Sequence, residues 1–211
     1  MSKLGSTVKD ATPREAINNA AIRLFGAEGY NGTTMRDIAQ EVGILPGSLY
    51  AHIDSKENLL AEIVQIGIEP YLQIFRSLEG VALSPSEKLR AAIVAHVKVV
   101  AGNPERTFVV FHEWRFLKEP YRTKVVKMRR RYGDGFTQIV ADGVACGEFC
   151  SNLVVRVSVF GILGALNWIP EWFSPEGPSS ADAIGNQLAD ALIGGLREPR
   201  SRSRTSAATR A

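Results

Sequence analysis

"TTMRDIAQEVGILPGSLYAHI", residues 33 to 53, contains two helical runs and a turn, and its reading decides the fold. Thr33 or Thr34 opens the first run, because a hydroxyl at that place accepts a bond from a free N–H of the first turn. Ile38, Ala39 and Val42 are apolar at helical spacing, and Gly43 stops the run. The second run is short. Leu45 stands where a polar cap belongs, so Pro46 must pre-set the first turn instead, its fixed φ suiting the first helical position. The segment from Ser48 to Ile53 is too apolar for a plain loop, yet it leaves Tyr50 and His52 exposed.

Two helices joined through one glycine form a helix-turn-helix, here at about residues 34 to 53. In that motif the second helix enters the major groove with its first residues at base edges, while the first helix crosses the backbone. Small residues there allow close approach. Pro46, Gly47 and Ser48 would then face the groove, Tyr50 and His52 the phosphates, and Leu49 and Ile53 the preceding helix. Lys56, opening the next helix after the cap at Asp54–Ser55, offers a charge beside free backbone N–H groups, which suits a phosphate.

Outward from this stretch, helix signals recur and strand signals do not. "TPRE" at Thr12 and "SPSE" at Ser84 are capping boxes with proline at the first helical position. The first helix should stop at Gly29. "KENLLAEIVQIGIE" should be interrupted at Pro70, and the long run after Pro120 is weakest at Gly133 and Gly135. Roughly nine helices and no internal repeat make the fold class all-α.

The 211 residues are 45% hydrophobic and 22% charged, the balance of an ordinary globular protein of one or two domains. Two cysteines make no disulfide framework and "MSKLGSTVKD" has no apolar leader, so a reducing, cytoplasmic setting is expected. The longest apolar run, from Val157, is too short for a membrane span. The net charge of +3 is uneven: five arginines against Glu198 put +4 on the last 15 residues and leave −1 for the rest. That Arg/Ser-rich tail, 197–211, has no apolar period and is expected to be disordered, as are residues 1–10.

The stretch from Ala16 to Val64 resembles the DNA-binding domain of TetR-type transcriptional repressors throughout its length. Leu24, Phe25, Gly29, Tyr30, Thr33, Thr34, Ile38, Ala39, Gly43, Leu49, Tyr50, His52, Ser55, Lys56, Glu57 and Leu59 carry the family pattern. The resemblance implies that residues 11–65 bind a double-stranded DNA operator, with Thr34, Arg36, Ser48, Tyr50, His52 and Lys56 as contacts. Thr33, Leu45, Pro46 and Gly47 lie on the same surface. Three departures stand out: Leu45 for the usual capping Ser or Thr, Pro46 for a polar or basic residue, and Ile53 for a core Phe. Residues 1–60 hold three lysines and three arginines against seven acids, so only a modest salt dependence is expected.

The same resemblance implies that residues 66–196 form a helical ligand-binding and dimerisation domain, making a homodimer regulated by a small-molecule effector. Phe108, Phe111 and Trp114 would wall a pocket with Arg115 and Arg122 at its mouth, and Trp168 and Trp172 would line it further along. "YRTKVVKMRRRY" supplies either a solvated face or a rim that reads anions. "EWRFL", "RRRY", "GEF" and "GALNWIPEWF" together resemble a TetR subgroup that senses CoA thioesters. The alternatives are a multidrug-type sensor and a helical enzyme. The enzyme lacks a legible catalytic set: His112-Glu113 begins like H-E-x-x-H but has Phe116 at the second His position, and Gly133-Asp134-Gly135 lacks the third glycine. Cys146 and Cys150, one turn apart, read as packing thiols and His96 as a core or pocket histidine. No cofactor or metal is expected.

Overall fold

The computed structural model describes residues 12–197, within which nine α-helices run without a strand. They are α1 (Pro13–Gly32), α2 (Met35–Val42), α3 (Pro46–Leu49), α4 (Lys56–Leu78), α5 (Pro85–Gly102), α6 (Pro104–His112), α7 (Tyr121–Ala145), α8 (Val155–Asn167) and α9 (Ala181–Leu196). Short 3-10 turns at Glu113–Phe116 and Ile169–Glu171 follow α6 and α8. The expectations for residues 1–10 and for the tail beyond Arg197 lie outside the described residues.

The capping residues act as their chemistry requires. Thr12, Thr34 and Ser84 each accept from the N3 backbone N–H, and Glu15, Asp37 and Glu87 return the bond to the cap N–H. Two expected breaks do not occur. Pro70 sits inside a continuous α4, which packs against α5, α6 and α7. Gly133 and Gly135 do not break α7; Gly135 is where α7 meets α4 so closely that a Cβ would collide with the Phe75 ring.

Two apolar cores result. The first joins Ile17, Ala21 and Phe25 of α1, Ile38 and Ala39 of α2, Leu49 of α3, Ile53, and Leu59 to Val64 of α4. Val109, Leu117 and Val125 from beyond residue 66 complete it, so the core around the first three helices is partly built from later chain. The second core runs from Ile68 through α5, α7 and α8 to Ile193 and Leu196 of α9. α4 contributes to both and ties the two ends together. No helix among the described residues is long and apolar enough to cross a membrane.

Candidate nucleic-acid interface

The corner between α1 and α2 sets the aim of the helix-turn-helix. Gly29 has φ +77, which kinks α1 and frees the Tyr30 N–H. The Glu113 carboxylate accepts that N–H at 2.7 Å, reaching in from the sensor domain. Lys56 Nζ donates to the carbonyls of Tyr30 and Thr33, 2.7 Å each, and lies 4.2 Å from the Tyr30 ring centroid. Burial pulls its pKa below the ordinary lysine value, partly offset by Asp37. Lys56 is therefore a clamp on the corner, with two of its three donors spent on carbonyls.

The expectation for Thr33 is corrected. It is fully buried, and its Oγ1 donates to Gly29 O at 3.0 Å, closing the end of α1. Thr34, its neighbour, is the exposed cap of α2, and its bonds to Asp37 hold that carboxyl below the usual carboxylate range. Gly43 ends α2 in the left-handed conformation, φ +78, and Ile44 and Leu45 lead directly into α3.

On α3, Leu49 is fully buried, as is Ile53 to within 1%, so the small helix is anchored by its inner side. Leu45, Pro46, Gly47, Ser48, Tyr50 and His52 are all exposed, together with Arg36 of α2. These are seven of the expected contacts, and Thr34 is exposed as well. Leu45 makes no side-chain cap, and Pro46 occupies the first helical position in its stead. The His52 carbonyl is held by Arg14 Nη1, and Arg14 also pairs with Glu62. Arg23 pairs with Glu41 at 2.9 Å. The two arginines of α1 are thus neutralised internally, in keeping with an interface of low charge.

The expected effector residues do not form one pocket. Phe111 is only 5% exposed, in a cluster with Tyr71, His96 and Tyr132, because its helical position points into the second core. Phe108 stacks on His112 at 4.6 Å. Trp168 is 57% exposed with its ring 6.1 Å from His112, and Trp172 borders a separate cavity of about 460 Å³ beside the start of α9. Trp114 does meet arginines: Arg129 lies 4.5 Å and Arg122 5.5 Å from its ring. Arg115 and Arg122 donate to the carbonyls of His112 and Arg115, 2.5 and 3.1 Å.

One feature had no sequence signal beyond a single charged letter, and a second was legible only as part of a basic stretch. Glu113, weighed as a fragment of a metal motif, is the interdomain acceptor just described. Arg129, Arg130 and Arg156 line a groove of about 630 Å³ between α7 and α8, whose other wall is Val159, Phe160 and Leu163. Arg129 is held by Val110 O at 3.2 Å, and burial draws its pKa down to about 10.

Residues 17–63 match the family described as bacterial regulatory proteins, tetR family, and residues 82–196 match the tetracyclin repressor-like C-terminal domain. The chain belongs to the TetR family. Like its family, it is a DNA-binding transcriptional regulator. The HTH-type transcriptional repressor KstR2 of Mycolicibacterium smegmatis is 28% identical over 190 residues, 89% of this chain and 92% of that one. The TetR family regulator PfmR of Thermus thermophilus superposes with a TM-score of 0.76 at 29% identity, covering 86% of this chain and 98% of PfmR. AibR, solved with isovaleryl coenzyme A and operator DNA, superposes with a TM-score of 0.75 at 28% identity, covering 88% and 98%. The TetR-family helix-turn-helix is thus the surface assembled above from Thr34 to His52.

Proposed function

We propose that this TetR-family regulator is a repressor that binds a near-palindromic operator as a homodimer and is released by an anionic amphipathic effector, a CoA thioester. The observation that carries the effector class is the α7–α8 groove. Arg129, Arg130 and Arg156 supply planar donors suited to phosphate oxygens, and Val159, Phe160 and Leu163 supply an apolar wall. Arg130 also borders the adjoining groove with Arg122 and Lys127, so cationic surface continues along α7. Asp134 also lines the groove, so three arginines stand against one carboxylate and a cationic drug would meet a net positive surface. The AibR complex, in which a chain of this fold holds both an acyl-CoA and its operator, supports the pairing of these two ligands.

The dimer reading rests on α8 and α9. Val157, Phe160, Gly161, Gly164 and Trp168 are exposed at intervals of three and four, an apolar stripe with small residues where another helix can approach. Ala191, Gly194 and Gly195 of α9 are exposed as well. Ala189 of the same helix is fully buried against the chain's own core. Release requires that the effector bind the DNA-incompetent state more tightly than the competent one.

The test begins with an operator selected by the full chain from random DNA. Isovaleryl-CoA and longer acyl-CoAs should release it, whereas free acids and cationic dyes should not. Arg130→Ala with Arg156→Ala should raise the acyl-CoA concentration needed by at least about tenfold, the worth of lost charge-assisted hydrogen bonds. Operator affinity itself should be unchanged. Release by cationic dyes alone would overturn the effector class.

A further inference from the structure

The side chain of Leu45 is 76% exposed, more than any other large hydrophobic side chain of the described residues. It packs in neither core, while Ile44 before it and Leu49 after it do. It also gives α3 no cap bond, where a serine or threonine would. Leu45 therefore serves neither the fold nor the start of its helix. Gly47, two residues on, makes the same point differently. A Cβ there would meet nothing within 4 Å, and its φ is not positive, so nothing inside the protein requires a glycine. A glycine in a helix is costlier than alanine, and its smallness is of use only to something outside.

Most of the charges nearby are spoken for, Arg36 of α2 excepted. Arg14 and Arg23 pair with Glu62 and Glu41, and Lys56 is bonded to two carbonyls. On a surface where most charges are paired, apolar contact is available to discriminate between bases alongside the polar groups of Arg36 and Ser48. Among base edges in the major groove, only thymine presents an apolar group, its C5-methyl.

We infer that Leu45 is a specificity-determining residue that reads a thymine C5-methyl in each half-site, with Gly47 leaving room for the base edge to approach. The inference rests on α3 lying in the major groove. Pro46 restricts the backbone of Leu45 at the first turn, so little backbone freedom is lost on contact.

Deoxyuridine removes that methyl and leaves every hydrogen-bonding group of the base in place. With the selected operator, each thymine of a half-site is replaced singly by uracil and binding of the full chain is followed by fluorescence anisotropy. One position should weaken binding by about threefold to fivefold, the worth of one buried methyl. Leu45→Ala should weaken binding to the thymine operator by a similar factor and bind the thymine and uracil operators equally, so that the two changes are not additive. Leu45 being exposed, the variant should unfold at the wild-type temperature, which circular dichroism checks. A thymine/uracil ratio unchanged by Leu45→Ala overturns the inference. If Ser48→Ala still alters base preference, only the role of Leu45 has failed. If neither Ser48→Ala nor Tyr50→Ala affects binding, the placement of α3 has failed with it.

Discussion

At the scale of single residues, His96 shows how a buried polar group is made to fit. It is fully buried, and Nε2 lies 3.1 Å from Leu166 O, which can only accept. The proton is therefore on Nε2, and Nδ1 accepts from the Tyr132 hydroxyl at 2.7 Å. Burial drives the pKa down to about 3, while the bond to Leu166 opposes the shift. The folded protein thus keeps His96 neutral over a range where the unfolded chain, near pKa 6.5, takes up a proton. Its contribution to stability is complete above about pH 6.5 and declines as pH falls towards about 3, at up to about 1.4 kcal/mol per unit. Denaturant unfolding from pH 7.5 to 5 should show this loss. His96→Gln, which can keep both hydrogen bonds but does not titrate, should flatten the slope; an unchanged slope would place the loss on other groups.

Among elements, the decisive join is between the α1–α2 corner and the 3-10 turn at Glu113–Phe116. Tyr30 stacks against Phe116 at 5.7 Å and gives its N–H to Glu113, while Lys118 N–H donates to Glu57 Oε1 at 2.6 Å and Asn58 to the Tyr121 hydroxyl at 3.2 Å. The helix-turn-helix is therefore positioned from the sensor side as well as by Lys56. Glu113→Ala leaves a part-buried N–H unpaired and should cost about 1–3 kcal/mol of stability. It should also weaken operator binding at temperatures where the variant is fully folded, since the corner leading into α2 is loosened. Unfolding curves and anisotropy on the same sample separate the two effects. A variant that loses stability and keeps full operator affinity would show that this join does not aim the motif.

For the whole molecule, the proposed dimer would require two copies held at one spacing. Paired recognition helices read half-sites about 34 Å apart, or a multiple of that, along one face of the duplex. The α8 stripe is the surface available for that pairing. Val157→Glu, at a residue 65% exposed, should leave the fold intact because no core is disturbed. A carboxylate buried in an apolar dimer face is costly, however, so light scattering should show a monomer at micromolar concentration. The monomer should bind a half-site only weakly. A dimer of undiminished affinity would move the interface elsewhere.

Much of the fold and half of the site were legible in the letters. Capping boxes, Gly43 and the apolar spacing of α1 and α2 act over three or four residues, so the helices and the exposed face of α3 follow from local chemistry. The same local rules misjudged Pro70, Gly133 and Gly135, because neighbouring helices outweigh the intrinsic cost of a proline or glycine within a packed helix. They also placed Thr33 on the DNA-facing surface, since spacing shows which residues share a helix and not which carbonyl a side chain will find. Phe111 and Trp168 have equal claims to a pocket when read as aromatic letters; one is buried in the core and the other left in water by the way α6 and α8 are rotated. The arginine groove joins residues 129 and 156 across two helices, and Glu113 meets Tyr30 across 83 positions of chain. The sequence by itself determined the helices, the motif and the family, because those rest on short-range patterns. Only the tertiary structure decided which charges are spent inside and which remain free, because that depends on contacts between segments far apart in the chain.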